Sequence, residues 1–406
     1  MRVAFVHTSM SHLGGAEVAI LQQATALSLR KVDVDIFTTG YDLSIGRFQE
    51  NSRLKIHVVD KGIPLPCSEI PVLGRNGLEH ELLMVGRSMV DAVKAKKYDV
   101  VLAGNFPASW IGWLSGRKTV WFCRGFSVPL YGEVTNPEEY LFHKSTYNAA
   151  DLAALQAVRE LDRMISSSLA GVFTNSNYNR NHIKQILEVD AYVIRTGIDL
   201  QLFRRVEPTV RTELGLEDSV VVICATRQGV NKRPEEALLA FSHALKCLSS
   251  DALTRTNPKL LVVGNSGIDG QLLPLSQELG LRDRLVLTGR VPHEKMNQYY
   301  SASDILVYTS LRDTFGLPPI EAMACNLPVI VYDDGGPGEN IVQGVTGIKV
   351  PPGDWKSLGN ELARLIQSTK ARQRLGEQGR AFVEKEFSWE DHATKLKKAL
   401  ERVANN

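Results

Sequence analysis

Short apolar runs rich in Val and Ile alternate with longer amphipathic stretches along almost the whole chain, and the alternation starts afresh once, after about residue 204. In the first half, residues 3–7, 32–38, 54–59, 100–103, 119–122, 171–174 and 191–194 read as strands, with helical periodicity over 16–29, 78–94, 152–168 and 178–187. A polar, charged segment containing Pro208 follows Phe203. Beyond it, strands are expected at 220–225, 260–263, 285–287, 305–308 and 329–332, and helices at 234–248, 272–279, 294–302 and 319–324. Strands apolar on both faces and separated by helices form parallel sheets covered on both sides. The expectation is therefore an α/β chain of two doubly wound, Rossmann-like domains facing across a cleft, at 1–205 and 206–387. A final helix at 388–406 carries Trp389, Ala393, Leu396, Leu400 and Val403 on one face, and packs back on the body. The 406-residue length suits two cores better than one.

Composition excludes more than it selects. A net charge of +2 gives no case for a nucleic-acid partner. Five cysteines, Cys67, Cys123, Cys224, Cys247 and Cys325, are odd in number and contain no Cys-x-x-Cys pair, which fits reduced thiols in the cytoplasm. The opening Met-Arg-Val-Ala-Phe-Val-His reads as a buried first strand rather than a secretory leader, and no run of 18 apolar residues occurs. Trp110 and Trp113 beside Arg117 and Lys118 have two readings, a peripheral membrane contact or a core helix leading into a strand.

The chemistry is concentrated in strand-to-helix loops. Residues 310–342 hold two carboxylates eight positions apart, Asp313 and Glu321, around the loop Thr-Phe-Gly-Leu-Pro-Pro. Gly316, Leu317 and Pro318 stand where a helix begins, so backbone N–H groups and the helix dipole favour a phosphate there. Glu321 is expected in the first helical turn, to accept from vicinal ribose hydroxyls or merely to complement the dipole, and Glu339 is expected as a second first-turn carboxylate. Arg227 and Lys232 follow the first strand of the second half and precede Pro234, a helix-starting residue. Two cations in such a loop clamp a diphosphate or form a solvated basic loop. Gly14-Gly15-Ala16-Glu17 opens a helix after the first strand, either as a close approach to an anion or as a tight turn. The Gly-x-Gly-x-x-Gly spacing of a dinucleotide site is missing. Asp33-Val-Asp35 lies within an alternating strand and reads as structural or surface rather than as a metal pair.

Taken with Thr174-Asn175-Ser176, Thr196-Gly197-Ile198-Asp199, Thr288-Gly289, Pro328-Val329-Ile330 and Gly335-Gly336, these residues resemble the retaining glycosyltransferases of family 4, with the GT-B architecture. The resemblance implies a nucleotide-sugar donor, a hydroxyl acceptor (a lipid, a glycan or a small metabolite), and neither cofactor nor metal. It implies that Arg227 and Lys232 neutralise the donor diphosphate and that N–H groups near Leu317 and Pro318 hold the distal phosphate. Glu321 would hold the ribose, Asp313 the sugar hydroxyls, and Gly14, Gly15 and Gly289 would line the donor site. Two departures stand out. Asp313 is one methylene shorter than the usual Glu, and Cys123 or Arg124 stands where many members carry His. One rival is an epimerase or hydrolase of sugar nucleotides on the same architecture; the two departures motivate another, a non-catalytic sugar-nucleotide sensor.

Overall fold

The computed structural model describes the chain except for residues 11–14, 41–53, 60–86, 146, 227–229 and 265–268. The chain forms two compact units, one of Met1–Gly197 with Trp389–Asn406 and one of Ile198–Ser388.

The first unit is built on seven parallel strands: β1 (Arg2–Val6), β2 (Asp33–Thr38), β3 (Lys55–Val58), β4 (Val100–Ala103), β5 (Thr119–Cys123), β6 (Gly171–Thr174) and β7 (Ala191–Val193). Their order is β3-β2-β1-β4-β5-β6-β7. Period-two alternation divides each strand between two cores. Ala4 and Val6 join Val101, Ala103 and Trp121 on one face, while Val3 and Phe5 join Leu102, Val120 and Phe122 on the other. The last helix, Trp389–Asn405, adds Ala393, Leu396 and Leu400 to the second of these cores. Burying a Leu side chain there is worth about 2 kcal/mol.

The second unit has six parallel strands in the order β10-β9-β8-β11-β12-β13. They are β8 (Val221–Ala225), β9 (Lys259–Val263), β10 (Leu285–Leu287), β11 (Ile305–Tyr308), β12 (Val329–Tyr332) and β13 (Ile348–Val350). The last of these escaped the sequence reading, because Ile348-Lys-Val350 is three residues long with a Lys in the middle. Val222 and Cys224 face one core, and Val221, Ile223 and Ala225 the other.

Helices follow the expected stretches with shifted ends, as at Gly15–Ser28, Ala149–Ser168 and Asn177–Leu187. Of the helix expected over 78–94, Arg87–Lys94 is present and the earlier part lies outside the described residues. Thr174-Asn175-Ser176 has a local structural task. Ser176 caps Asn177–Leu187 by accepting from the Asn179 N–H at 3.0 Å, and the Asn179 amide donates to Thr174 Oγ1 at 2.8 Å and to the Cys123 carbonyl at 2.9 Å.

Trp110 sits in the core of a helix, Ala108–Leu114, and its indole donates to Asp162 Oδ1 at 2.7 Å, whereas Trp113 is 37% exposed. Asp35 is buried, accepts from the Tyr98 hydroxyl and lies 3.5 Å from Lys96 Nζ. No helix among the described residues is long and apolar enough to cross a membrane. Among the described cysteines Cys123, Cys224, Cys247 and Cys325 are free thiols, and Cys67 lies outside the described residues.

Candidate active site

In an open parallel sheet the strand order reverses at one point, and loops at the carboxyl ends of the two strands there diverge to leave a crevice. In the second unit that point lies between β8 and β11. Lys232 follows β8, and residues 309–316 follow β11, so both loops open at the same place. The Leu311 N–H donates to the Asn231 carbonyl at 2.8 Å, and Thr309 Oγ1 donates to the carbonyls of Lys232 (3.1 Å) and Arg233 (2.8 Å). Lys232 is thereby fixed at its backbone from the β11 side.

Its ammonium meets three oxygens: Asp313 Oδ2 at 2.5 Å, Ser310 Oγ at 3.3 Å and the Tyr308 hydroxyl at 3.5 Å. The Tyr308 hydroxyl donates to Asp313 Oδ2 at 2.6 Å, and the Phe315 N–H donates to Asp313 Oδ1 at 3.3 Å. Burial pushes the Asp313 carboxyl up, but the Lys232 ammonium and these donors outweigh burial and hold it well below the usual carboxylate range. A buried ion pair thus sits at the switch point, the Lys side chain 9% and the Asp side chain 17% exposed.

The next loop supports this one. Gly336 N–H donates to the Asp313 carbonyl at 2.8 Å, and Asn340 Nδ2 donates to the Phe315 carbonyl at 2.8 Å. Gly335 has φ +61, and a Cβ there would collide with the Asp313 backbone. Gly316 has φ +73 and precedes the helix Leu317–Ala324, and a Cβ on it would stand 2.5 Å from Pro337 Cγ. Gly316→Ala should therefore lower the unfolding free energy by about 2 kcal/mol, from left-handed strain and crowding together. Chemical denaturation of the variant measures it.

The first three positions of the helix are Leu317, Pro318 and Pro319, and prolines carry no N–H. Pro318 therefore offers no donor, and among these three positions only Leu317 has a backbone N–H. Glu321 is the fifth helical residue, past the first turn, because the helix starts at Leu317 rather than 319. It is 5% exposed, accepts from the Tyr300 hydroxyl at 2.8 Å and stands 3.9 Å from His293 Nδ1; burial raises its carboxyl, partly offset by His293 and Tyr300. Glu339 ends the short helix Gly335–Glu339 instead of opening it. Gly289, with φ +68, follows β10, two strands from β8, and its carbonyl accepts from the Gly264 N–H at 3.1 Å. Gly15 is the exposed first residue of its helix; Gly14 and Arg227 lie outside the described residues. Sequence reasoning missed Tyr308, Ser310 and Tyr300, although the polar run Tyr308-Thr309-Ser310, which ends the buried strand β11 and opens the next loop, signals a loop with work to do.

In the first unit the reversal lies between β1 and β4. Beside it His7 Nε2 stands 3.3 Å from Glu17 Oε1, and Asn105 Nδ2 donates to Thr8 Oγ1 at 2.9 Å. Cys123 is buried, its thiol pushed up to about 12 by burial. Arg124 lies over the Phe122 ring and donates to Gln23 Oε1 at 2.7 Å.

Two doubly wound parallel-sheet units in one chain are the fold of the GT-B glycosyltransferases. The family model of the glycosyl transferases group 1 matches residues 206–382, and that of glycosyltransferase family 4 matches residues 13–202. The chain belongs to glycosyltransferase family 4. Curated relatives include the D-inositol 3-phosphate glycosyltransferases of Xylanimonas cellulosilytica (24% identical, covering 96% of this chain and 94% of the relative) and Rhodococcus erythropolis (26% identical, 100% and 91%). Among solved structures, HepE of Anabaena in complex with UDP and glucose shares the fold at a TM-score of 0.73 and 19% identity, covering 99% of this chain and 100% of that one. Sucrose-phosphate synthase of Thermosynechococcus elongatus does so at 0.75 and 22%, covering 99% and 98%.

Proposed function

We propose that this glycosyltransferase moves a hexose from a nucleoside-diphosphate sugar to an acceptor hydroxyl, with the anomeric configuration retained. The observation that carries the reading is the meeting of Lys232, Asp313 and the N-terminus of Leu317–Ala324 at one switch point. A leaving diphosphate needs positive charge and N–H donors already in place, and the preorganised kind is often the largest single contribution to catalysis. Lys232, Arg227 and the Leu317 N–H supply them. Asp313 accepts from sugar hydroxyls, and Glu321, reached from its buried position beside Tyr300, accepts from the ribose. Gly289 lets backbone approach the donor. Front-face displacement, in which the departing phosphate oxygen takes the acceptor proton, requires no side-chain nucleophile on the sugar. No metal is required, so chelation with EDTA should leave turnover unchanged.

Two likenesses guide the substrates. HepE is solved with UDP-glucose, and the curated relatives are named for D-inositol 3-phosphate. The test offers UDP-, GDP- and ADP-glucose with D-inositol 3-phosphate and follows the anomeric signals by NMR. A product with the donor's anomeric configuration supports the reading. An inverted product removes the retaining mechanism, and donor consumed equally without acceptor makes the protein a hydrolase or epimerase.

A further inference from the structure

The Lys232–Asp313 pair joins two groups that transfer needs at different places: the lysine at the diphosphate, the carboxylate at the sugar. An ammonium has three N–H donors. Here Asp313 Oδ2, Ser310 Oγ and the Tyr308 hydroxyl lie at 2.5, 3.3 and 3.5 Å. A phosphate oxygen binding Lys232 at the usual charge-assisted distance must take a donor from one of them. A diphosphate that displaced only a hydroxyl would lie beside the ionised Asp313, and two like charges a few ångströms apart in a poorly solvated site repel strongly. The lower-energy outcome moves the carboxylate.

We propose that Asp313 and the donor diphosphate compete for Lys232, so that donor binding turns Asp313 off the lysine and toward the sugar hydroxyls. This rests on the diphosphate reading above. Asp313 does not need to come loose, because the Tyr308 hydroxyl (2.6 Å) and the Phe315 N–H (3.3 Å) hold it independently of Lys232. Both donors belong to the stretch from the end of β11 to the loop before Leu317–Ala324, so the carboxylate pivots beside the helix start. Asp313 is thus the internal counter-ion of the phosphate lysine as well as a sugar contact. Bound diphosphate loses affinity to it, and the exchange couples phosphate binding to alignment of the sugar.

The exchange makes a prediction opposite to that of a carboxylate that only touches sugar. Asp313→Asn removes the competing charge at constant shape, so UDP, GDP or ADP, whichever binds, should bind about tenfold tighter by calorimetry, while transfer from the nucleotide sugar falls at least about a hundredfold. Asp313→Ser, smaller and uncharged, should tighten binding in the same direction and serves if the amide variant folds poorly. Unchanged or weaker nucleoside-diphosphate binding in folded Asp313 variants overturns the exchange. Lys232→Met separates this from the parent reading. If that variant loses nucleotide while the Asp313 variants bind as wild type, the exchange alone is wrong. If it binds as well as wild type, or none of the three nucleotides binds wild type, the diphosphate reading is wrong.

Discussion

Replacing Lys232 with Met should lower kcat by two to three orders of magnitude, about 3–4 kcal/mol of lost transition-state stabilisation. The charge that builds on the leaving diphosphate then has one fewer fixed cation, and water reaches the buried lysine position poorly. The same variant should be less stable than wild type. It strands the Asp313 carboxylate, 17% exposed at its side chain, without its ammonium partner and held by the neutral Tyr308 hydroxyl and Phe315 N–H. Removing one member of a buried pair costs more than the pair contributes, because the survivor keeps its desolvation cost. The double variant Lys232→Met/Asp313→Asn, which leaves no orphan charge, should recover most of the lost melting temperature and none of the lost turnover. Steady-state kinetics beside thermal denaturation separates the two effects. Near-wild-type turnover in folded Lys232→Met would remove this residue from the chemistry.

The second large effect is an acid sensitivity of the first unit. His392 on the last helix is 2% exposed. The always-charged Arg124 guanidinium donates to Gln23 Oε1 at 2.7 Å, which turns the Gln23 amide nitrogen toward His392 Nε2 at 2.9 Å. His392 Nε2 must then accept, and Nδ1, 2.7 Å from the Arg195 carbonyl, must carry the proton. The chain of donors runs one way and leaves no acceptor for a second ring proton. Burial is the main cause that pushes the imidazole down to about 4 from its ordinary 6.5, with the Arg195 carbonyl opposing. The sign follows. The unfolded chain takes the proton first, so the contribution is complete above pH 6.5 and is lost as pH falls from there toward 4. A change from 6.5 to about 4 corresponds to roughly 3 kcal/mol. Melting temperature measured from pH 7.5 to 4 should fall over that window, and His392→Gln should flatten the slope there. An equal slope in that variant would assign the acid sensitivity to other groups.

Much of the scaffold was legible because burial on both faces of a strand leaves a strong mark. Val-Val-Ile-Cys-Ala and Ile-Leu-Val-Tyr announce central parallel strands without further help. Helix ends were less legible: Pro318-Pro319 pointed to a helix start at 319, while the left-handed Gly316 starts it at Leu317. That shift of two residues moved Glu321 out of the first turn and showed that Pro318 brings no donor. The helices Val128–Thr135 and Pro137–Lys144 were not expected at all. Gly132 and a proline at or next to each start weaken the helical period, and packing of one on the other offsets the weak propensity.

The site was legible by type and not by partnership. Cations after one strand and a carboxylate after another were visible, yet nothing in the spacing says that Lys232 and Asp313, 81 residues apart, form one ion pair. That follows from strand order, which places β8 beside β11 although two strands intervene in the chain. The Gln23–His392 contact spans 369 residues, and its signal was hidden inside a helix read only for its apolar face.

In the reading proposed above, the second unit holds the donor diphosphate between Lys232 and the start of Leu317–Ala324. The most direct measurement is a crystal structure of the full chain with whichever of UDP-, GDP- or ADP-glucose raises its melting temperature most. The distal phosphate should lie within about 3 Å of both Lys232 Nζ and the Leu317 nitrogen. A nucleotide sugar bound with its phosphates away from both would contradict it.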